Sequence, residues 1–557
     1  MTSVFPVSTS NPTTRSVAPL FASLMVTMLL AALNQTVLST ALPTVVGELH
    51  GIDHMTWVIT GYILASTIVM PVYGRISDLL GRRPVLILAI SLFVAGSVIG
   101  AEAANIEWLI VGRVIQGAGG GGLMILSQAA IADVVPARDR GKYMGLMGAV
   151  FAVASVAGPL LGGWFTEGPG WRWAFWINVP LGAVAILATL VFLRLPETPH
   201  AERPRIDYLG AALIAVATTA VILVCTWGGA TYAWRSPQII GLILATVVSA
   251  LLFAAVESKA THPLIPLPLF KERNFTLSTF AALLFGIAMF GAIGYLPTYL
   301  QMSSGVNATE AGLLMIPMMG GLLGASVVCG RLVSRTGRYK RYPTAGAAVM
   351  GAGLALISTL HIDSPIWLMC GYTAILGIGI GMGMQILILI VQNTFSSAIV
   401  GTATAATNYF RQVGASVGSA VVGSVFATRL VTLLAERLPD SAGSTDTNAL
   451  TPAAVRELPA TTRLPILEAY NDALLPIFLF MVPLAVIAVI ALAFIKETPL
   501  ATTIERDVID QSPAQARAYN PPETRPRLAD TGTSGRRGRS AGTRSAQCGK
   551  TRTGQWL

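Results

Sequence analysis

Apolar residues in this chain fall in long, nearly unbroken runs, not in the alternation of a half-buried strand or the 3.6-residue stripe of a surface helix. Fourteen such runs approach or exceed the about 20 residues a membrane-spanning helix needs. They lie near 18–42, 56–73, 85–104, 108–131, 143–165, 174–195, 208–228, 238–256, 275–300, 310–330, 342–361, 366–391, 400–428 and 473–495. A closed barrel, the other backbone a lipid core tolerates, would alternate over segments of about 10 residues, and no such alternation occurs. The pattern predicts an all-α integral membrane protein with 14 transmembrane helices.

Composition narrows the function classes. Apolar residues make up 53% and charged residues 11%, with a mean hydropathy of +0.66, against about 25% charged in soluble domains. The polar stretches left over, 1–17, 429–472 and 496–557, offer no soluble catalytic domain. An enzyme within the bilayer would need a nucleophile–base pair or metal ligands at spanning depth, yet His50, His54, His200, His262 and His361 all fall outside the runs. Cys225, Cys329, Cys370 and Cys548 have no disulfide or metal-ligand spacing. A transporter without metal or cofactor is expected, and not an enzyme. The first run is too long for a signal h-region and reads as an uncleaved anchor.

Charge sets the orientation. Basic residues crowd alternate loops: Arg75, Arg82 and Arg83; Arg138, Arg140 and Lys142; Arg194, Arg203 and Arg205; Lys259, Lys271 and Arg273; and Arg331 to Arg341. The opposite loops hold little beyond Arg172 and Arg235. The positive-inside rule then puts both termini in the cytoplasm. Residues 1–17 become a cytoplasmic N-terminus and 429–472 an extracellular loop, whose arginines violate the rule only because long loops translocate regardless of charge. Trp57, Trp108, Trp171, Trp173 and Trp234 fall near the outer ends, as headgroup-level anchors would. Much of the net charge of +10 sits in 496–557. That tail is Gly-, Ser-, Thr- and Pro-rich, which predicts disorder and not a nucleic-acid partner, with anionic headgroups as a natural contact.

The chain also repeats itself. GRISDLLGRR from Gly74 follows the second run and GRLVSRTGRY from Gly330 the tenth; ALPT, ending at Thr44, pairs with YLPT, ending at Thr298; QGAGGGG from Gln116 pairs with LGIGIGMG from Leu376. Three matches in one register argue duplication in parallel orientation. An N-terminal six-helix bundle (18–195), two intervening helices with linkers (196–274) and a C-terminal six-helix bundle (275–495) follow. Such halves suit alternating access around a site near the midplane.

Within GRISDLLGRR, Gly74 and Gly81 permit a tight turn, and Asp78 can accept from Arg82 or from helix N-terminal N–H groups; the plainer reading is a topogenic basic loop. The stretch resembles the loop signature of the major facilitator superfamily. That resemblance implies a charge network at Asp78 and Arg82 that latches one conformation, with Asp133 as a further partner. Arg113 is a cation inside the fourth run, where it must find a partner or water or snorkel outward. LIVGRVIQG around it is similar to the superfamily's fourth-span motif, which implies proton coupling at Arg113. In the fifth run Gly158, Pro159, Gly162 and Gly163 allow close helix approach and a kink. This spacing resembles the antiporter motif, with Ala154 where a glycine is usual, and implies export.

WRWAFWINVP from Trp171 and RQVGASVGSAVVG from Arg411 extend the likeness over 18–495 to the fourteen-span drug:proton antiporters, the multidrug exporters of the superfamily. The resemblance implies a major facilitator fold in the cell membrane and a monomeric transport unit. It implies export of amphiphilic small molecules, drugs and antibiotics among them, against protons drawn in by the proton gradient. Import of a nutrient or siderophore is the alternative, or a lipid-moving or accessory role with 429–472 as docking element.

One position departs from that pattern. LNQTVLSTALP has Asn34 where relatives carry an acid, and no Asp or Glu lies near the centre of any run. A buried carboxylate can exchange a proton and attract a cation, whereas an amide does neither. The proton carrier is therefore unassigned, and substrates are expected to be neutral or anionic. Asn34, Gln35, Thr36, Tyr62, Gln116, Gln385, Asn408 and Arg411 are the candidate cavity residues, each with interhelical hydrogen bonding or packing as the plainer role.

Overall fold

In a computed structural model, residues 17–51, 54–193, 207–229, 231–304, 306, 308–437, 455 and 458–502 are described. The N-terminal half contains α1 (Val17–Glu48), α2 (Met55–Leu80), α3 (Arg82–Ala101), α4 (Ile106–Val134), α5 (Ala137–Glu167) and α6 (Trp173–Phe192). Next come α7 (Tyr208–Trp227) and α8 (Pro237–Glu257). The C-terminal half contains α9 (Arg273–Ile293, resuming as Leu296–Ser304), α10 (Ala308–Leu314, resuming as Ile316–Thr336), α11 (Arg341–Ile357), α12 (Ile366–Thr394), α13 (Val400–Arg437) and α14 (Ala460–Ala493). Among the described residues 13 helices are long and apolar enough to cross a membrane. The 17-residue α11 falls on the eleventh predicted run and makes the fourteenth.

Sequence explains the ends and breaks. Asn105 and Asp207 cap α4 and α7 by accepting from Trp108 N–H and Gly210 N–H. Gly81, at φ +87°, turns the chain between α2 and α3, a conformation a side chain would strain. α6, α9 and α10 each break just before a proline, at Pro180, Pro297 and Pro317, which lacks the N–H that would continue the ladder. Pro43 behaves differently. Hydropathy predicts an end near 42, but α1 continues through Pro43 to Glu48. Its last turns bury Leu42, Val45 and Val46 with Trp171 and Phe175, and Glu48 accepts from Trp171 Nε1 (2.8 Å) and Arg172 Nη1 (2.6 Å). Tertiary contacts carry the helix past the residue that should stop it. Trp171, expected at the headgroups, is accordingly buried.

The duplication is visible in the packing. Gly117 and Gly119 of α4 press against backbone atoms of α2 (Tyr62) and α3 (Phe93, Ala89), and Gly377 and Gly379 of α12 press likewise on α10 (Met318) and α11 (Met350, Gly346). Without a hydrophobic drive between helices in lipid, such small-residue contacts supply the dispersion energy of association. α7 is wedged beside α2 and α13, with Thr218 bonded to Tyr409 Oη (2.9 Å) and Trp227 edge-on to Trp57. α8 buries only Ile239, Ser249 and Glu257 and forms an outer layer.

The 429–472 segment is not simply a loop. α13 runs on to Arg437 and α14 starts at Ala460, tied by an Arg437–Asp472 ion pair (2.5 Å) and by Arg429 donating to Asp472 O (3.0 Å). At 38 residues α13 is about 57 Å long, well beyond a hydrocarbon core of about 30 Å. Residues 438–454, the basic tail from 503, the linker 194–206 and residues 1–16 lie outside the described residues.

A Cβ at Gly119 meets backbone atoms of α3, whereas one at Gly371 meets nothing within 4 Å. Gly119→Ala is therefore expected to lose about 1–3 kcal/mol and Gly371→Ala to be near neutral in thermal unfolding of the purified protein. Equal effects would contradict the packing.

Candidate transport pathway

At the end carrying the basic loops, the two halves are held together. Asp78, at the end of α2, accepts from the backbone N–H groups of Gly401 (3.1 Å) and Thr402 (2.7 Å) and from Thr402 Oγ1 (2.6 Å). These are the first donors of α13, where helix N–H groups have no intrahelical partner and the dipole favours an anion. Arg82 binds Asp78 (2.5 Å), Asp133 (Nε, 3.0 Å) and Ser77 Oγ (2.6 Å), all of them buried. Gly74 lets α2 approach Ala405 and Gly401 O closely. Gly74, Asp78, Arg82 and Asp133 thus meet at one contact between the halves, here called the latch, with Gly81 in the turn beside it.

A second copy of the latch lies across the interface. α10 meets α5 where Gly330 packs on Gly141, and Ser334, in the register of Asp78, accepts from Lys142 N–H (3.0 Å) and contacts Asp139 O. Arg138 donates to Arg335 O (3.0 Å). Arg140, counted from sequence only as a loop charge, donates to Val135 O (2.7 Å) and Ala132 O at the end of α4, and to Gln392 O of α12 (3.2 Å). Further in, Asn408 donates to Gln128 Oε1 (2.9 Å) and Gln392 to Gln128 O (3.1 Å). Gln385 packs against Gly148 across the same seam.

Away from this sealed end a cavity of about 200 Å³ opens between the halves. α1 lines it with the stripe Ala31, Gln35, Leu38 and Ser39; α2 gives Tyr62, Ser66 and Met70; α4 gives Arg113 and Met124; Phe151, Phe290, Arg411 and Gln412 complete it. Ile59, Ile63, Phe290 and Gln412 also line a vestibule of about 860 Å³, walled by α7 and by Ser416, Ser419, Ser424 and Thr428 of α13. The two spaces adjoin and extend toward the end opposite the latch. Among the described residues no Asp or Glu lines either space.

Arg113 does not snorkel. It is 2% exposed, donates through Nη1 to Asn34 Oδ1 (2.5 Å) and Gln116 Oε1 and through Nε to Val58 O (3.2 Å), and stacks 4.2 Å from the Tyr62 ring centroid. Gln116 passes the network on to Ser97 (2.6 Å), which Asn178 also contacts. Every partner is neutral.

Of the candidate cavity residues, Gln35, Tyr62 and Arg411 line the cavity. Asn34, residue 18 of the 32 in α1, is turned away toward Arg113, because one step along a helix rotates a side chain by about 100° from its neighbour. Gln116, Gln385 and Asn408 are buried in interhelical contacts. Thr36 Oγ1 donates to Ala154 O (2.9 Å) of α5. The small residues of α5 explain that contact: Gly158 receives the Thr36 side chain and Gly162 packs on Val37 and Thr40, while Gly163, on another face, meets nothing within 4 Å, and Pro159 lies inside α5 without ending it. Ser39, Ser66, Met124 and Phe151 are cavity residues the sequence did not single out. For Ser39 the i, i+4 relation to Gln35 was the available signal.

Comparison with known proteins agrees with this architecture. The profile of the Major Facilitator Superfamily matches residues 24–419. An uncharacterized MFS-type transporter of Mycobacterium tuberculosis is 41% identical over 501 residues, covering 90% of this chain and 72% of that one. The multidrug transporter protein MdtP of Bacillus subtilis is 35% identical over 419 residues, covering 75% and 77%. Among solved structures, the human organic anion transporter MFSD10 superposes with a TM-score of 0.58 at 15% identity over 86% of this chain and 100% of that one, a likeness of fold alone. The chain belongs to the major facilitator superfamily and is a multi-pass membrane transporter, not an enzyme.

Proposed function

We propose that the protein exports amphiphilic small molecules by alternating access, coupled to inward movement of protons. The observation that carries this reading is the cavity: it is sealed at the basic end and continuous with a vestibule at the other. With the basic loops and both termini in the cytoplasm of a cell-membrane protein, this is the outward-facing, substrate-releasing state. The Met and Phe lining suits adaptable apolar contacts. Relatives named as multidrug transporter and efflux pump point the same way, as does α1 seated in the grooves of Gly158 and Gly162.

In the proposed cycle the latch must break for the cytoplasmic end to open. Its two copies differ in strength. Asp78 is a buried charge held by Arg82 and a helix N-terminus, whereas Ser334 makes neutral bonds. Breaking a buried ion pair costs about 3–5 kcal/mol and losing a neutral hydrogen bond about 1 kcal/mol, so the Asp78 copy dominates the equilibrium between the two states.

Two outcomes are expected. In proteoliposomes, an imposed pH gradient drives accumulation of amphiphilic compounds from a diverse panel, and an uncoupler abolishes it; accumulation indifferent to the gradient would remove the proton coupling. Asp78→Asn lowers the transport rate by about tenfold or more, while Ser334→Ala changes it by less than about threefold. Equal losses would refute the unequal latch.

A further inference from the structure

We propose that the cavity is an anion site to which each half contributes one arginine. The acidic head group, a sulfonate or carboxylate, of an amphiphilic organic anion is drawn in by the unneutralised Arg113 of α4 and Arg411 of α13 and bonds to one of them at a time, with its apolar body against Met70, Met124, Phe151 and Phe290. The proposal rests on the reading of this cavity as the substrate path.

Three observations carry it. Both arginines line the same cavity and are 2% and 7% exposed. Among the described residues neither forms an ion pair, although an unneutralised cation at spanning depth is unfavourable. Both also keep donors in reserve. The bonds of Arg113 use Nε and Nη1, leaving Nη2. Those of Arg411 use only Nη2, toward Asn408 Oδ1 (2.8 Å) and Met124 Sδ (3.5 Å), and its Nε is buried without a partner.

The chemistry of those free donors defines the ligand. A guanidinium presents a planar fork that matches the oxygens of a carboxylate or sulfonate. Two such cations beside a space that no Asp or Glu among the described residues lines favour an anion over a cation. Asn34 keeps the site cationic, since its amide accepts from Arg113 without neutralising it. The two arginines sit on different halves. α13 also carries Gly401 and Thr402, and a shift at Arg411 is transmitted along one helix to the latch. With an anion as cargo, the path needs no carboxylate to attract it.

The test uses the full chain in proteoliposomes with two permanently charged probes on one aromatic body, pyrenesulfonate and a pyrenylmethyl trimethylammonium salt. Transport of the sulfonate is expected to exceed that of the ammonium by about tenfold or more. Arg113→Gln and Arg411→Gln should each cut the anion-to-cation ratio by about tenfold, the scale of one charged hydrogen bond. Asn34→Asp, which supplies an internal counter-ion, should lower the ratio as well. Should a glutamine variant fail to fold, Arg411→Lys and thermal unfolding carry the test: pyrenesulfonate raises the midpoint of the unsubstituted protein and raises that of Arg411→Lys less. Transport of the ammonium or of uncharged drugs without the sulfonate overturns the anion site and leaves the exporter reading standing. A folded protein that carries none of these compounds overturns both.

Discussion

Asp78, seated on the first N–H groups of α13, is the contact on which the arrangement of the two halves depends. In a region without water, a carboxylate can be buried only if its oxygens are saturated with donors and its charge is balanced. The chain meets both demands by ending α2 at the start of α13. The N-terminal half supplies Arg82, the C-terminal half the open N–H groups of a helix, and Gly74 and Gly401 bring the backbones close enough. Because the donors come from the other half, the latch exists only while the two bundles are closed at that end. The cavity is then forced to open toward the other.

Deeper in the membrane the charge problem is handled the opposite way. Arg113 is buried as firmly as Arg82 yet meets only amides, a carbonyl and an aromatic face. Arg411 meets an amide and a thioether. The difference has a physical meaning: a charge balanced from within the protein stabilises one conformation, whereas a charge left unbalanced beside a cavity favours the entry of an anion over that of a cation. The same glycine-based packing serves both regions. α5 illustrates this, since Gly141, Gly145 and Gly148 pack on the other half while Gly158 and Gly162 pack on α1 of its own.

Much of this was legible in the residues. The number of spans and the duplication follow from hydropathy and register, which are properties of local sequence, whereas the network of Asp78, Arg82 and Asp133 was implied by the resemblance of one patterned loop to the superfamily signature. The extent of α1 past Pro43 was not, since Trp171 and Arg172 hold it from more than 120 residues away. Nor was the cavity lining. Asn34 and Gln35 are adjacent polar residues in one apolar run, and only the packing of α1 on α4 decides that the first is a support for Arg113 and the second faces the path. Arg140 and Thr402 carry no sequence signal because their partners, helix-end carbonyls for the one and a carboxylate of the other half for the other, are brought to them only by the packing.

Distances across the two ends of the protein test the account most directly. Spin labels at positions Glu102 and Asp363 span the open end, and labels at Arg83 and Arg338 span the latch end, in the lipid-reconstituted protein. As substrate and a proton gradient are supplied, the account predicts that the first distance shortens while the second lengthens, in the same fraction of molecules. Two distances that stay fixed, or that change in the same sense, would contradict a rocking transporter organised around the Asp78 latch.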